Sequence, residues 1–368
     1  MVEATPEDVG DRYLVDPYEN WCQGEGIPIY EDFAIDMLAI EARHWPRFGV
    51  GGALCHLKGR CDYLTIFLLE LPAGGKTVPQ KHIFEDVIYV LEGSGSTTVE
   101  FADGRKHSFE WGQHSLFSVP VNARYQHFNG SGRERARLAS TNSLRHILNL
   151  FRNDAFIFDN AAAFPEREGR PDYFSGEGEY IAIRPGRHQW ETNIVSNIME
   201  FKLKTWEARG AGGSSLRFIL ADSSIGVHVS ELPVGTYKKA HRHPPGYCVF
   251  AVTGHGYSLL WYEGEENFIR TDWHPGVVYA PPDMMFHQHF NSAPGPARYL
   301  AVQMGSTRYP LFQSKFYTYD KGADSSTDDG GNQIEYENQD PRIHKMFLEE
   351  ISAQGIKSGM GKFIAEVP

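Results

Sequence analysis

Along much of this chain, apolar and polar residues alternate in short runs, too short and too β-branched for helices. Residues 62–71, 87–91, 96–101 and 115–119, and again 217–220, 226–232, 249–253 and 257–262, are rich in aromatic and β-branched side chains. Turn formers such as Ala102-Asp103-Gly104 separate them. This spacing predicts a β-sandwich or barrel. Two segments, residues 31–42 and 341–354, carry the 3.6-residue apolar rhythm of a helix instead. Residues 321–331, rich in Asp, Ser and Gly, predict a mobile loop.

The pattern occurs twice. Glu70-Leu71-Pro72-Ala73-Gly74 returns as Glu231-Leu232-Pro233-Val234-Gly235, an offset of 161 residues. At the same offset His82 matches His243, and Gly93 matches Gly254. Further on, Pro120 matches Pro282, and Gln126-His127-Phe128-Asn129 matches Gln288-His289-Phe290-Asn291, now at 162. A single one-residue loop insertion accounts for the change. The chain therefore holds two copies of one domain.

A length of 368 residues suits two such domains with connecting segments. Hydrophobic residues make up 41% and charged residues 22%, as in an ordinary globular protein. The net charge of −12 supplies no field for phosphates, so nucleic acid is excluded as a non-specific partner. No apolar run has the length of a membrane span, and the first residues lack a signal-peptide pattern; the expected location is the cytoplasm. The four cysteines, Cys22, Cys55, Cys61 and Cys248, form no Cys-x-x-Cys pair and read as free thiols. The 16 histidines are more telling, because several cluster at short spacings.

At these residues the chain resembles the cupin superfamily. The first cupin motif runs Gly, five residues, His-x-His, then Glu and Gly; the second runs Gly, five residues, Pro-x-Gly, two residues, His, three residues, Asn. Gly235, His241, His243 and Gly254, followed by Gly276, Pro282, His287 and Asn291, match these spacings. Two positions depart: Tyr247 stands where the motif has Glu, and Met284 where it has Gly. The resemblance implies an all-β fold of two tandem jelly-roll barrels with short helical extensions. Its expected layout is an extension (residues 1–55), a first barrel (56–150), a linker (151–215), a second barrel (216–310) and a C-terminal loop and helix (311–368).

Residues two apart on a strand share a face, so His241 and His243 both point into the barrel. With His287 from the facing sheet they would form a facial three-imidazole site for one divalent metal, leaving positions open for substrate. Tyr247 keeps the same inward parity. In the first copy the matching residues are Gln80, His82, Asp86 and Tyr125, with His127 matching His289. A second site from Gln80, His82, Asp86 and His127 is conceivable, but a degenerate barrel kept for packing is the expectation.

A three-histidine site without the glutamate resembles gentisate 1,2-dioxygenases and related salicylate ring-cleaving bicupins. That resemblance implies Fe(II), dioxygen and an aromatic hydroxy acid, and gives His289 a contact with substrate or oxygen. For Tyr247, facing the site by parity, the readings are a weak ligand, a hydrogen-bond donor to bound substrate, or packing. It departs in one respect, since that group loads its N-terminal barrel. Arg217 is the expected partner of a substrate carboxylate, with Arg298 as another and Gln303 as a polar wall. Two readings compete: non-oxidative chemistry (decarboxylase, hydrolase, lyase or isomerase) with Mn, Zn or Ni, and a non-catalytic small-molecule binder. A homo-oligomer is expected in each case.

Overall fold

The computed structural model describes residues 15–58, 64–184, 187–243, 246–311, 322 and 324–364. Cys61, residues 62–63 of the first predicted strand, and residues 321 and 323 of the predicted loop lie outside these. The fold is all-β, two tandem cupin barrels, each built from a large and a small sheet. In barrel 1 the large sheet runs, by hydrogen-bonded neighbours, Ile29–Asp32, Val50–Leu57, Thr65–Leu71, Ala136–Asn142, Asp86–Glu92, Leu116–Phe117 and Ile194–Val195. The small sheet places Gly95–Glu100 between Arg124–Asn129 and Lys106–Trp111.

Barrel 2 repeats this plan. Ser214–Leu220, Ile225–Leu232, Ala297–Met304, Cys248–Thr253 and Val277–Tyr279 lie side by side in its large sheet, and Gly256–Trp261, Phe286–Asn291 and Ala240–His241 in its small one. The register repeats as well: Leu71 faces Ala136 as Leu232 faces Ala297. So does a close approach. A Cβ on Gly95 or on Gly256 would lie 2.0 Å from a backbone oxygen, of Phe128 or of Phe290, and against the ring of Trp111 or Trp273.

The repeat in space reaches further than the one read from the sequence. Ile29–Asp32 pairs in parallel with Val50–Leu57, and Arg187–Thr192 in parallel with Ser214–Leu220. Each of these lead-in strands is followed by a short strand that crosses to the other barrel. Ala34–Asp36 pairs with Val277–Tyr279 of barrel 2, and Ile194–Val195 with Leu116–Phe117 of barrel 1. Residues 31–42 are therefore not the helix their spacing predicts. Their apolar side chains, Ile35 and Met37, pack into the core shared by the two large sheets, and tertiary pairing overrides local rhythm.

The predicted C-terminal helix is present as Pro341–Ala353, with the Asp340 side chain accepting from the Arg342 N–H at its N-cap. Its Ile343, Phe347 and Ile351 cover Tyr237 and Phe290 of barrel 2. Within the predicted 321–331 loop, the described residues include the 3-10 turn Thr327–Asp329. No helix among the described residues is long and apolar enough to cross a membrane. Cys22, Cys55 and Cys248 are buried free thiols.

What positions the site is a difference in filling. The interior of barrel 1 is closed by aromatic residues, among them Phe84, Phe117 and Tyr125, all within 4% of full burial. Barrel 2 keeps polar side chains facing inward and a cavity of about 350 Å³ between its sheets.

Candidate metal centre

His241 closes a two-residue strand and lies directly opposite His287 in the neighbouring strand. His243 follows two residues later on the same face. Their ligand nitrogens all lie within 4.8 Å of one another, and this is the one such group of three among the described residues. Backbone oxygens set two of the tautomers. The Nδ1–H of His241 donates to the Lys239 carbonyl at 3.2 Å, and that of His287 to the Met285 carbonyl at 3.0 Å. A carbonyl can only accept, so the proton is on Nδ1 and the Nε2 lone pair is left for a metal.

Burial holds two of these imidazoles below the usual histidine range, His287 down to about 4 and His241 well below. The neutral ring is the ligating form, so the pocket favours the state a metal requires. The donor set, three imidazoles lining a cavity, fits a divalent transition metal and not Mg or Ca.

Around the triad the cavity is polar. His289 is 3% exposed, with its Nδ1 at 2.8 Å from Ser258 Oγ and 3.1 Å from the Tyr279 hydroxyl. Trp273 Nε1–H donates to the same Ser258 Oγ. Barrel 1 has the equivalent arrangement, with His127 Nδ1 on Thr97 Oγ1 and Trp111 Nε1–H donating to it. The bracing of this histidine therefore belongs to the barrel plan, whereas its place beside three imidazoles is particular to barrel 2. Tyr247 stands edge-on to His243 at 4.9 Å and to His228 at 4.8 Å between ring centroids.

Of the residues expected to bind substrate, Arg217 and Gln303 line the cavity. Gln303 donates to the Gly305 carbonyl, and its Oε1 is buried without a partner. Arg298 does not line the cavity. Its guanidinium pairs with Glu231 and donates to the carbonyls of Ile198 and Met199 in the lead-in segment of barrel 2. Arg137 does the same in barrel 1, with Glu70 and the carbonyls of Met37, Leu38 and Ile40. These arginines are clamps of the fold. Their equivalence at offset 161 was the available signal, since a residue shared by both copies serves what both copies share.

The candidate second site does not assemble. The Gln80 amide turns away to the Arg47 and Val78 carbonyls. His82 has its Nδ1 on the Phe84 carbonyl and its Nε2 on the Tyr125 hydroxyl, each at 2.8 Å. Asp86 is fully enclosed, and burial pushes its carboxyl up to about 7. The ligand atoms of His82, Asp86 and His127 form no group close enough to share an ion.

Sequence reasoning missed most of the cavity wall. Arg187 and Arg209 share the carboxylate of Asp324, at 2.9 Å and 2.7 Å, on either side of it. Arg187 also lies 3.3 Å over the Trp206 ring. Lys238, His228 and Arg308 also line the cavity. Burial pushes Arg187 down to about 9, and the nearby Arg217 adds to this. The wall is cationic, facing the triad.

No family model matches the chain, and no curated protein matches it in sequence. The fold is similar to that of Lactobacillus farciminis oxalate decarboxylase in a formate complex, with a TM-score of 0.50 and 14% identity over 76% of this chain and 87% of that one. It is equally similar to a variant of Bacillus subtilis oxalate decarboxylase, with a TM-score of 0.50 and 13% identity over 74% of this chain and 77% of that one. At such identities the likeness is one of fold. Both of these neighbours are oxalate decarboxylases.

Proposed function

We propose that the chain is a metal-dependent bicupin enzyme acting on a small organic anion, with one divalent ion held by His241, His243 and His287. The observation that carries this reading is the convergence of three imidazoles within 4.8 Å on a cavity walled by arginines. A divalent ion bound there would supply a Lewis-acid centre. The chain supplies the rest. Arg217 and Arg187 receive the anionic group, Gln303 offers an unpaired oxygen, and Tyr247 fixes the tilt of His243 by edge contact. His289, braced by Ser258 and Tyr279, presents a neutral ring beside the triad.

Non-oxidative chemistry is the reading we favour: decarboxylation, lyase action, hydrolysis or isomerisation, with Mn, Zn or Ni. The shared fold with decarboxylases supports it. Tyr247, in the place of the motif glutamate, and a cavity of about 350 Å³ point to a substrate larger than a two-carbon diacid. A second reading keeps Fe(II), dioxygen and an aromatic hydroxy acid, and is favoured by a donor set free of carboxylate.

Elemental analysis of the purified protein and of His241→Ala tests the proposal. About one transition metal per chain, lost in the variant, is expected. Zinc or manganese supports the first reading; iron with oxygen uptake on a hydroxybenzoate supports the second. Failure to bind any added divalent transition metal, under anaerobic conditions, overturns both.

A further inference from the structure

Lys238 is 3% exposed and lines the same cavity. Its backbone N–H donates to the His289 carbonyl, and its Nζ lies 2.7 Å from the Tyr299 hydroxyl and 4.8 Å from that ring's centroid. Among the described residues no carboxylate is within ion-pair distance of the amine. The acid whose charge reaches it, Asp324, is engaged by Arg187 and Arg209. Barrel 1 carries Thr77 at the equivalent position, so the barrel plan does not require a lysine there.

A buried ammonium without a counter-ion and facing two guanidiniums is costly, and a lysine in that setting loses its proton. Burial, with Arg209 and Arg187 close by, holds the Lys238 amine well below the usual lysine range. A desolvated amine beside cations is the form that attacks carbonyl carbon.

We infer that Lys238 is a nucleophile that captures a small 2-oxo carboxylate as an imine, its carboxylate received by the cavity arginines. The amine nitrogen bonds to the carbonyl carbon. The carbon–oxygen bond breaks, and the oxygen leaves as water with the two hydrogens of the amine, relayed by the Tyr299 hydroxyl 2.7 Å away. No oxidant or reductant is consumed. Lys238 is not one of the three metal-binding histidines, so this chemistry stands or falls apart from the metal reading.

The test is trapping. Full-length protein, with and without chelator, is incubated near pH 6.5 with pyruvate and sodium cyanoborohydride, then mapped by peptide mass spectrometry. At that pH an ordinary lysine, with a pKa of about 10.4, is almost wholly protonated. One reduced pyruvate adduct on Lys238 is expected, formed at least about tenfold faster than on any surface lysine, with or without chelator. Lys238→Arg should abolish it at an unchanged melting temperature. Tyr299→Phe should slow trapping several-fold, and it keeps the question open to test if the arginine variant fails to fold. Adducts spread over surface lysines with Lys238 unmodified would overturn the inference, whatever the metal content.

Discussion

The hydroxyl of Tyr125 lies 2.8 Å from Nε2 of His82, so the one histidine that barrel 1 retains at a ligand position has both ring nitrogens engaged. Tyr125 occupies the position that His287 holds in barrel 2. Replacing it and the outward-turned Gln80 together, as Gln80→His/Tyr125→His, rebuilds the triad. Metal content after dialysis should then rise from one to two equivalents per chain. A content that stays at one would mean that aromatic packing, and not ligand identity, closes this barrel.

Asp86 gives barrel 1 an unusual pH response. Its carboxyl is raised from 3.8 to about 7, so its contribution to stability is full below pH 3.8 and is lost as pH rises through about 7. Asp86→Asn should therefore melt higher than wild type near pH 8 and show no gain near pH 4. His82 and His127 act in the opposite direction. Held down to about 4 and about 3, they support the fold above pH 6.5 and lose that support as pH falls through those values. Melting temperatures across the range, for wild type and variant, separate the two.

Arg298 and Arg217 should part company on mutation. Arg298→Met leaves Glu231 and buried carbonyls of the lead-in segment without their donor, and should cost roughly 3–5 kcal/mol in denaturant unfolding. Metal content should not change. Arg217 is half-buried, and among the described residues its side chain holds a 3.5 Å contact with Thr307 alone, so Arg217→Gln should leave stability within about 0.5 kcal/mol. Its effect belongs to anion binding, measured by calorimetry with a carboxylate.

Tyr247→Phe keeps the edge contact with His243 and should leave metal content unchanged, which a ligating hydroxyl would not. Tyr247→Glu restores the motif carboxylate at that position. Metal should then leave more slowly to a chelator, by about tenfold or more; an unchanged release rate would place that side chain out of reach of the ion.

Much of this was legible in the sequence. The offset of 161 revealed two copies, and strand alternation put His241 and His243 on one face. His287, expected from the facing sheet, lies instead in the neighbouring strand of the same small sheet. What was not legible depends on chain crossings. Arg187, Arg209 and Asp324 come from segments far apart, with no spacing to link them, and meet only because the fold brings their ends together. Residues 34–36 misled for the same reason: a three-residue strand borrowed by another barrel leaves no period-2 signature. Arg298 was named for its charge as a partner of a substrate carboxylate, and its position in the repeat, equivalent to Arg137, is what marks it as part of the fold.

The exchanged strands also bear on inheritance. Each barrel's large sheet is finished by a strand borrowed from the segment that introduces the other, so the chain is wired like a dimer whose subunits have been joined end to end. Cut between residues 158 and 179, it should yield two fragments that recover the native state only as a pair. A barrel that has lost its ligand triad is then still indispensable to the twin that keeps one, and neither can be deleted, shuffled or replaced alone.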